Sequence, residues 1–274
     1  MEMRADVLIV GAGMVGSALA LALKDSGLKI LLLDGGPLSV KPFASEAPFE
    51  PRVSALSAAS QRILQRLGAW DGIIHRRASP YSHMHVWDGS GTGQIHFSAA
   101  SVHADVLGHI VENRVVQDAL LECLQGSCIE MLANSRLEQM RRSGDDWLLT
   151  LADGRTLRAP LVIAADGANS AVRRLTGVAT REWDYMHHAI VTSVRSSKPH
   201  QTTAWQRFTD NGPLAFLPLE RDGQQDWCSI VWSTTPSEAE QLMALDDEGF
   251  CRALERAFEG RLGTVLSADP RLCV

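Results

Sequence analysis

The chain has 274 residues, 45% of them hydrophobic and 21% charged, which suits a globular α/β protein of one large domain or two interleaved ones. Its formal net charge of −6 at pH 7 argues against a nucleic-acid partner, because proteins that bind nucleic acids present a basic stripe on their surface. Five scattered cysteines without CxxC spacing favour a reducing, cytoplasmic compartment over a disulfide framework.

The N-terminal segment has the pattern of a strand–helix–strand unit. The apolar run Val7–Val10 predicts a buried strand that Gly11 ends, and Met14–Asp25 predicts a helix. Ile30–Leu33 predicts a second buried strand, closed by Asp34. This order of elements is typical of a right-handed crossover in a parallel sheet.

The same segment must be distinguished from a signal peptide, because residues Val7 to Leu23 carry no charge. Glycines interrupt it and no small-residue cleavage pattern follows it, so we interpret it as part of the fold. No other run approaches the roughly 20 apolar residues of a spanning helix. Any membrane contact is therefore expected to be peripheral.

The later elements alternate between hairpins and helices until the pattern changes near residue 187. In chain order the sequence predicts a loop over Lys41–Pro51, a serine-capped helix Ser54–Leu67, a hairpin of His83–Trp87 and Gln94–Phe97, a helix Val111–Leu124, a hairpin of Trp147–Leu151 and Thr156–Ala159, and a buried strand Leu161–Ala164. A second, mainly antiparallel sheet follows, with strands Ala189–Val194, Thr203–Phe208 and Trp227–Trp232 and helices Ser237–Met243 and Asp247–Phe258.

The first candidate site is the GxGxxG motif between the two N-terminal strands. Gly11, Gly13 and Gly16 suit a tight turn, close approach of a pyrophosphate and helix packing, respectively. Asp34 follows Gly16 by 18 residues, where a carboxylate can bind ribose hydroxyls. Together they predict a dinucleotide site; the alternative is a glycine-rich turn without a ligand.

The second candidate site begins at Asp166. A predicted strand runs into Asp166-Gly167-Ala168-Asn169-Ser170-Ala171-Val172-Arg173, so that Ser and Arg fall on the first turn of a helix. An ordinary Asp-Gly turn that caps a helix is the simpler alternative for this segment taken alone.

With the glycine motif, this segment resembles the class A FAD-dependent aromatic hydroxylases of the para-hydroxybenzoate hydroxylase fold. Further segments are similar to the branch that hydroxylates polyprenylated phenols in ubiquinone biosynthesis. They are Arg52-Val53-Ser54-Ala55-Leu56-Ser57, His109-Ile110-Val111-Glu112-Asn113-Arg114, Trp183-Asp184-Tyr185 with His187-His188, and Phe216-Leu217-Pro218-Leu219.

The resemblance implies an α/β fold in two parts. A Rossmann-like FAD-binding domain with a parallel sheet and an inserted β-meander takes residues 1–75 and 105–182. A mainly antiparallel β-sheet substrate domain with flanking helices takes residues 76–104 and 183–274. Family members also carry a second Gly-Asp motif that binds the ribityl part of FAD, and the sequence has none of that kind. We therefore expect a C-terminally truncated, inactive fragment that lacks the last part of the FAD domain and binds FAD weakly or not at all.

The resemblance also implies the chemistry of the site. FAD would be bound by Gly11, Gly13, Gly16, Asp34 and Asp166, with Arg52 beside the flavin or its pyrophosphate and Arg114 on the FAD chain. A lone arginine without the family is more often solvated or ion-paired. NADH or NADPH would reduce FAD, and one atom of O₂ would pass to the ring of a polyprenylated phenol. Because the flavin carries the chemistry, no catalytic side chain is predicted; other ubiquinone-biosynthesis proteins are expected partners.

Two other functions stay open at this point. A nicotinamide-dependent dehydrogenase would share the strand–helix–strand unit but leave the Asp166 segment unexplained. A non-catalytic binding module of a biosynthetic complex is the second alternative. Metal binding is not predicted, because the pairs His83/His85 and His187/His188 lack a third ligand at metal spacing. The ring position, the prenyl length, the oligomeric state and the choice between NADH and NADPH are not fixed by the sequence.

Overall fold

A computed structural model describes residues 2–274. Its helices are α1 Met14–Ala22, α2 Ala58–Arg66, α3 Trp70–Arg76, α4 Asn113–Gln125, α5 Ala171–Thr176, α6 Pro236–Ala244 and α7 Asp247–Ala257. Its strands are β1 Glu2–Arg4, β2 Val7–Val10, β3 Ile30–Leu33, β4 Val53–Ser57, β5 Ser79–Tyr81, β6 His83–Asp88, β7 Gln94–Ser98, β8 Gly108–Glu112, β9 Glu130–Leu132, β10 Leu137–Ser143, β11 Asp146–Leu151, β12 Thr156–Ala159, β13 Leu161–Ala164, β14 His188–Ser196, β15 Thr203–Thr209, β16 Gly212–Arg221, β17 Gln224–Thr234, β18 Val265–Ala268 and β19 Leu272–Cys273. No helix within residues 2–274 combines the length and the apolar character needed to cross a bilayer.

The chain groups into two compact units. The first runs to Pro42 and continues over Ile63–Ile73 and Arg114–Glu182; the second comprises Phe43–Arg62, Ile74–Asn113 and Trp183–Val274. Residues 43–62 and 105–113 thus group with the second unit, because Phe49 and Ile110 within them pack with Ala204 and Leu219 in one hydrophobic cluster. The division into an FAD-binding and a substrate domain stays a prediction.

The first unit contains the predicted parallel sheet. Its strand order is β13-β2-β3-β9, and all neighbouring strands run parallel. Every residue of β2 and β3 is buried, as their uninterrupted apolar runs predict. β13 forms where predicted but is not the buried strand that we expected: it lies at the edge of this sheet, and half of the Leu161 surface is exposed.

The inserted β-meander is also confirmed. Strands β10, β11 and β12 pair antiparallel in sequence, and β1 adds to β12 in parallel. Leucines of the meander pack with leucines of β2 and β3 in one hydrophobic core, which includes Leu8, Leu31, Leu149 and Leu157. This core supports the carboxyl ends of β2 and β3 from within the first unit.

The second unit is built on the predicted, mainly antiparallel sheet. Its order is β18-β14-β17-β16-β15-β6-β7, with β19 beside β14, and β15 with β6 is a parallel pair. Helices α6 and α7 cover one face: Phe258, which follows α7, stacks on Phe216 with ring centres 3.7 Å apart, and Phe250 contacts Trp232. Strands β4, β8 and β5 form a small antiparallel sheet of their own.

Two predicted helices begin later than the sequence indicates. Val53–Ser57 is a strand, because it pairs with Gly108–Glu112, and α2 begins only at Ala58. Ser57 rather than Ser54 takes the capping position, where its Oγ accepts a hydrogen bond from the Ser60 N–H at 3.3 Å. Because of the same pairing, α4 begins at Asn113 and not at Val111 as predicted. Strand pairing between distant segments thus overrides local helix propensity in both cases.

The buried histidine His200 predicts a pH dependence of stability. Its Nε2–H donates to the Leu219 carbonyl oxygen at 3.0 Å and its Nδ1 accepts from the Thr202 N–H at 3.1 Å, a pattern that requires the neutral ring. Burial lowers the pKa of His200 below the usual 6.5. The unfolded chain therefore binds a proton that the folded chain does not, and stability falls as the pH drops below 6.5.

We expect the free energy of unfolding of His200→Gln to decrease less steeply with falling pH than that of wild type, by up to about 1.4 kcal/mol for each pH unit below 6.5. Urea unfolding at a series of pH values measures the slope. The exposed His188 gives the control, His188→Gln, which should leave the slope unchanged. Equal slopes in wild type and His200→Gln would show that His200 titrates normally.

Candidate functional site

A cleft of about 410 Å³ lies in the first unit, where β2, β3 and β13 end. The carboxyl edge of a parallel sheet is the usual ligand-binding position in such folds, and the volume suits part of a small-molecule ligand. Its polar lining side chains are Asp34, Ser135, Arg136, Asp166, Asn169 and Arg174. Of the predicted site residues, Gly11, Gly13, Asp34 and Asp166 meet in this cleft.

The three glycines of the motif differ in what surrounds them. Gly11 has a φ of +101°, and a Cβ there would overlap the carbonyl oxygen of Ala165. A Cβ on Gly16 would overlap the carbonyl oxygen of Gly11, so Gly16 lets α1 pack against the loop. Gly13 precedes α1 with an ordinary backbone, and a Cβ there would meet no atom within 4 Å. Gly13 therefore leaves room for a ligand, whereas Gly11 and Gly16 serve the fold.

Asp34 holds the glycine loop in place. Its Oδ2 accepts a hydrogen bond from the Ala12 N–H at 2.7 Å, and its Oδ1 accepts one from the Gly36 N–H at 2.8 Å. The Ala12 carbonyl oxygen in turn accepts from Ser17 Oγ at 3.0 Å and Gln117 Nε2 at 3.4 Å. A carboxylate has about four acceptor positions, so Asp34 keeps capacity for a ribose hydroxyl.

Asp166 caps the short helix α5. Its Oδ1 accepts from Ser170 Oγ at 2.6 Å, and its Oδ2 accepts from the N–H groups of Ala171 and Val172 at 2.7 and 3.2 Å. Ser170 Oγ itself accepts from the Arg173 N–H at 3.0 Å. The capping turn that was the simpler alternative is thus present, and it holds Asp166 at the cleft.

Two arginines of the cleft were not predicted. Arg174 lies directly after the Asp166 segment and donates through Nη1 to the Asn169 carbonyl oxygen at 3.0 Å. Its position directly beside the motif is the sequence signal that marks it. Arg136 is exposed at the start of the meander, and nothing in its local sequence marks it. Both guanidinium groups suit an anionic ligand such as a phosphate.

Three predicted residues do not line the cleft. Gly16 packs beneath the glycine loop, as described. Arg114 is the second residue of α4 in the first unit, with its Nε 3.4 Å from Asp118 Oδ2. Arg52 belongs to the second unit and is exposed.

The cleft fits the adenosine diphosphate part of a dinucleotide. The space beside Gly13 admits a pyrophosphate, the N-terminus of α1 favours its negative charge, and Arg136 and Arg174 add positive charge. Asp34 adds carboxylate oxygens, which can accept hydrogen bonds from hydroxyl groups. Across residues 2–274, no three His, Cys, Asp or Glu side chains converge in a way that could hold a metal ion.

Curated relatives support the predicted resemblance. The 3-demethoxyubiquinol 3-hydroxylase of Escherichia coli is 35% identical over 261 residues, which cover 95% of this chain and 65% of that protein. The ubiquinone biosynthesis monooxygenase COQ6 of Danio rerio is 37% identical over 268 residues, covering 92% and 54%. The resemblance to ubiquinone-biosynthesis hydroxylases is thereby confirmed, and the chain spans between about half and two thirds of these relatives' length.

Solved structures show the same fold. A variant of PqsL from Pseudomonas aeruginosa superposes with a TM-score of 0.78 at 24% identity, covering 99% of this chain and 73% of that one. The p-nitrophenol 4-monooxygenase PnpA of Pseudomonas putida gives a TM-score of 0.73 at 20% identity, covering 100% and 68%. The predicted α/β fold class is confirmed.

The family model described as an FAD binding domain matches residues 4–269, nearly the whole chain. This match agrees with the glycine loop, the carboxylate that closes β3 and the cleft between them. The chain belongs to the FAD binding domain family.

Proposed function

We propose that the protein is an FAD-dependent monooxygenase that hydroxylates the aromatic ring of a polyprenylated phenol in ubiquinone biosynthesis. The observation that carries the proposal is the cleft at Gly13, Asp34 and Asp166, in a chain whose curated relatives are named as ubiquinone hydroxylases. Those names favour hydroxylation over a nicotinamide dehydrogenase or a non-catalytic module.

The first unit would bind the adenosine diphosphate part of FAD. The pyrophosphate would lie against Gly13 and the N-terminus of α1, and the ribose hydroxyls would donate to Asp34. Gly11 and Gly16 shape the loop. Asp166, Arg52 and Arg114 are proposed contacts further along FAD, on the strength of the family resemblance.

When bound, FAD supplies the transfer of one oxygen atom from O₂ to the electron-rich ring, after reduction by NADH or NADPH. The residues of the chain would bind and orient FAD and the phenol and keep water from the reacting atoms. A polyprenylated phenol resides in a membrane, so we infer peripheral contact of a cytoplasmic protein with the inner membrane, beside other ubiquinone-biosynthesis proteins.

A chimera tests the proposed function. The segment of the E. coli 3-demethoxyubiquinol 3-hydroxylase that matches this chain is replaced by the chain and expressed in cells that lack the enzyme. We expect quinone extracts to regain a species with one added oxygen, as mass spectrometry detects. The same chimera with Gly13→Val should give none. A chimera that purifies with bound FAD but forms no hydroxylated product contradicts the proposal.

A further inference from the structure

A buried ion pair holds the segment that leads to Arg52. Residues 43–52 contain neither helix nor strand, yet Phe49 within them is only 5% exposed. A segment without regular structure needs other groups to satisfy its backbone when it is packed against the protein. Here side chains from elsewhere in the second unit do so.

Arg77 is the main partner of this segment. Its Nη1 donates to the carbonyl oxygens of Ser45 and Ala47 at 3.3 and 3.0 Å. On its other side, Nε and Nη2 contact the two carboxylate oxygens of Glu112 at 2.9 and 3.2 Å. The planar guanidinium group has enough N–H donors to contact the two carbonyl oxygens and the Glu112 carboxylate at the same time, and a lysine ammonium cannot reproduce that geometry.

Glu112 completes the arrangement from the opposite end of the segment. Its Oε1 accepts a hydrogen bond from the Glu50 N–H at 2.8 Å. In the β4–β8 pair it lies opposite Val53, the residue after Arg52. The Arg52 carbonyl oxygen accepts from the Asn113 N–H at 3.0 Å. The backbone is therefore fixed on both sides of Arg52.

A stack of rings and guanidinium groups adds to this hold. Phe49 contacts both Arg77 and Arg221, whose guanidinium carbons are 4.3 and 4.6 Å from its ring centre. Arg221 Nη2 also donates to the Ala47 carbonyl oxygen, at 3.1 Å. Cations at this distance from a ring face are attracted to it.

The ion pair is not an efficient means of stabilising a fold. The side chains of Arg77 and Glu112 are 9% and 3% exposed, and burial raises the pKa of Glu112 in spite of the opposing effect of Arg77. Buried pairs recover their desolvation cost poorly, and in some proteins such a pair specifies one conformation. The segment held by this pair, residues 43–52, ends at Arg52. Arg52 is exposed, and its side chain makes no hydrogen bond or ion pair with the described part of the chain.

We infer that Arg77 and Glu112 are positioning residues that hold residues 43–52 in one conformation and so orient the Arg52 guanidinium for an anionic group of FAD. The orienting role rests on the proposed function; the hold on the segment does not. Pre-orienting a cation lowers the entropy lost when the ligand binds.

Amide hydrogen exchange tests the hold on the segment without any ligand. We expect Arg77→Lys to speed exchange in peptides covering residues 45–50 by at least tenfold, while peptides of β17 and α7 keep wild-type rates. Glu112→Gln keeps an acceptor for the Glu50 N–H, whereas Glu112→Ala does not. The amides of residues 45–50 should therefore exchange more slowly in Glu112→Gln than in Glu112→Ala. Arg195→Lys is the control, because Arg195 pairs with Asp226 in the same unit but is more exposed. Unchanged exchange in Arg77→Lys, in a protein that keeps its circular dichroism, overturns the inference.

A double-mutant cycle in FAD affinity tests the orienting role. Arg77→Lys and Arg52→Ala should each raise the FAD dissociation constant by about tenfold, and the double variant should be no weaker than Arg52→Ala alone. Independent, additive losses contradict positioning through Arg52, as does a loosened segment with unchanged FAD affinity. If the wild-type sequence binds no FAD even within the chimera with the E. coli hydroxylase, the proposed function fails, and the exchange experiment still decides whether the pair holds the segment.

Discussion

Replacing Gly13 by valine is expected to abolish FAD binding while the protein stays folded. The backbone at Gly13 is one that any residue can adopt, and a Cβ added there would meet no protein atom within 4 Å. Its free energy of unfolding should therefore change by less than about 1 kcal/mol. Gly13 lines the cleft, and a valine there is expected to occupy the space proposed for the pyrophosphate. The FAD dissociation constant should therefore rise at least about 100-fold, or about 2.7 kcal/mol.

Flavin fluorescence titration and urea unfolding of the same preparations measure the two effects. Gly126→Ala is the matched control: it adds a Cβ in the same unit, where the nearest atoms would be at 3.8 Å, away from the cleft. Normal FAD affinity in Gly13→Val would show that the pyrophosphate does not lie against Gly13. A large loss of stability would instead show that Gly13 serves the fold.

Gly16→Ala should have the opposite consequence and prevent stable folding. The added methyl group would overlap the carbonyl oxygen of Gly11 and press on the Ala165 side chain. Because the oxygen belongs to backbone that Asp34 and β3 already hold, the overlap cannot be relieved by rotating a side chain. We expect a loss of more than about 3 kcal/mol, a large part of the stability of an ordinary domain.

The unfolding midpoint in urea, or the loss of soluble protein, measures this effect, again beside Gly126→Ala. Near-wild-type stability of Gly16→Ala would mean that α1 approaches the loop less closely than the structure shows. Together the two glycine variants separate the part of the motif that binds from the part that folds.

The local elements of the first unit were predictable because their signals are short-range. The apolar runs Val7–Val10 and Ile30–Leu33 and the glycines between them are contiguous, so they fix the parallel pair and the cleft beside it. Strand β4 was not predictable in this way, because it depends on pairing with residues 108–112 far along the chain. The grouping of residues 43–62 with the second unit also depends on distant residues, since Phe49 packs with Ala204 and Leu219.

The roles of the charged residues were likewise only partly predictable from the local sequence. The position of Asp34 predicts a ribose contact, but only the structure shows that its carboxylate also holds Ala12 and Gly36. Arg77 is one of two adjacent arginines, Arg76 and Arg77, that match no motif in the sequence. Its partners come from two distant segments, Ser45 and Ala47 from one and Glu112 from the other. Constellations assembled from distant segments require the fold, whereas glycine spacing does not.

Calorimetric titration of the purified protein with FAD and with ADP tests the central claim most directly, because the cleft is proposed to hold the part that the two ligands share. We predict one FAD site per chain with a micromolar dissociation constant, about −8 kcal/mol, that ADP competes for and Gly13→Val removes. Folded protein that binds FAD without competition from ADP, or that binds NADH more tightly than FAD, would contradict the account.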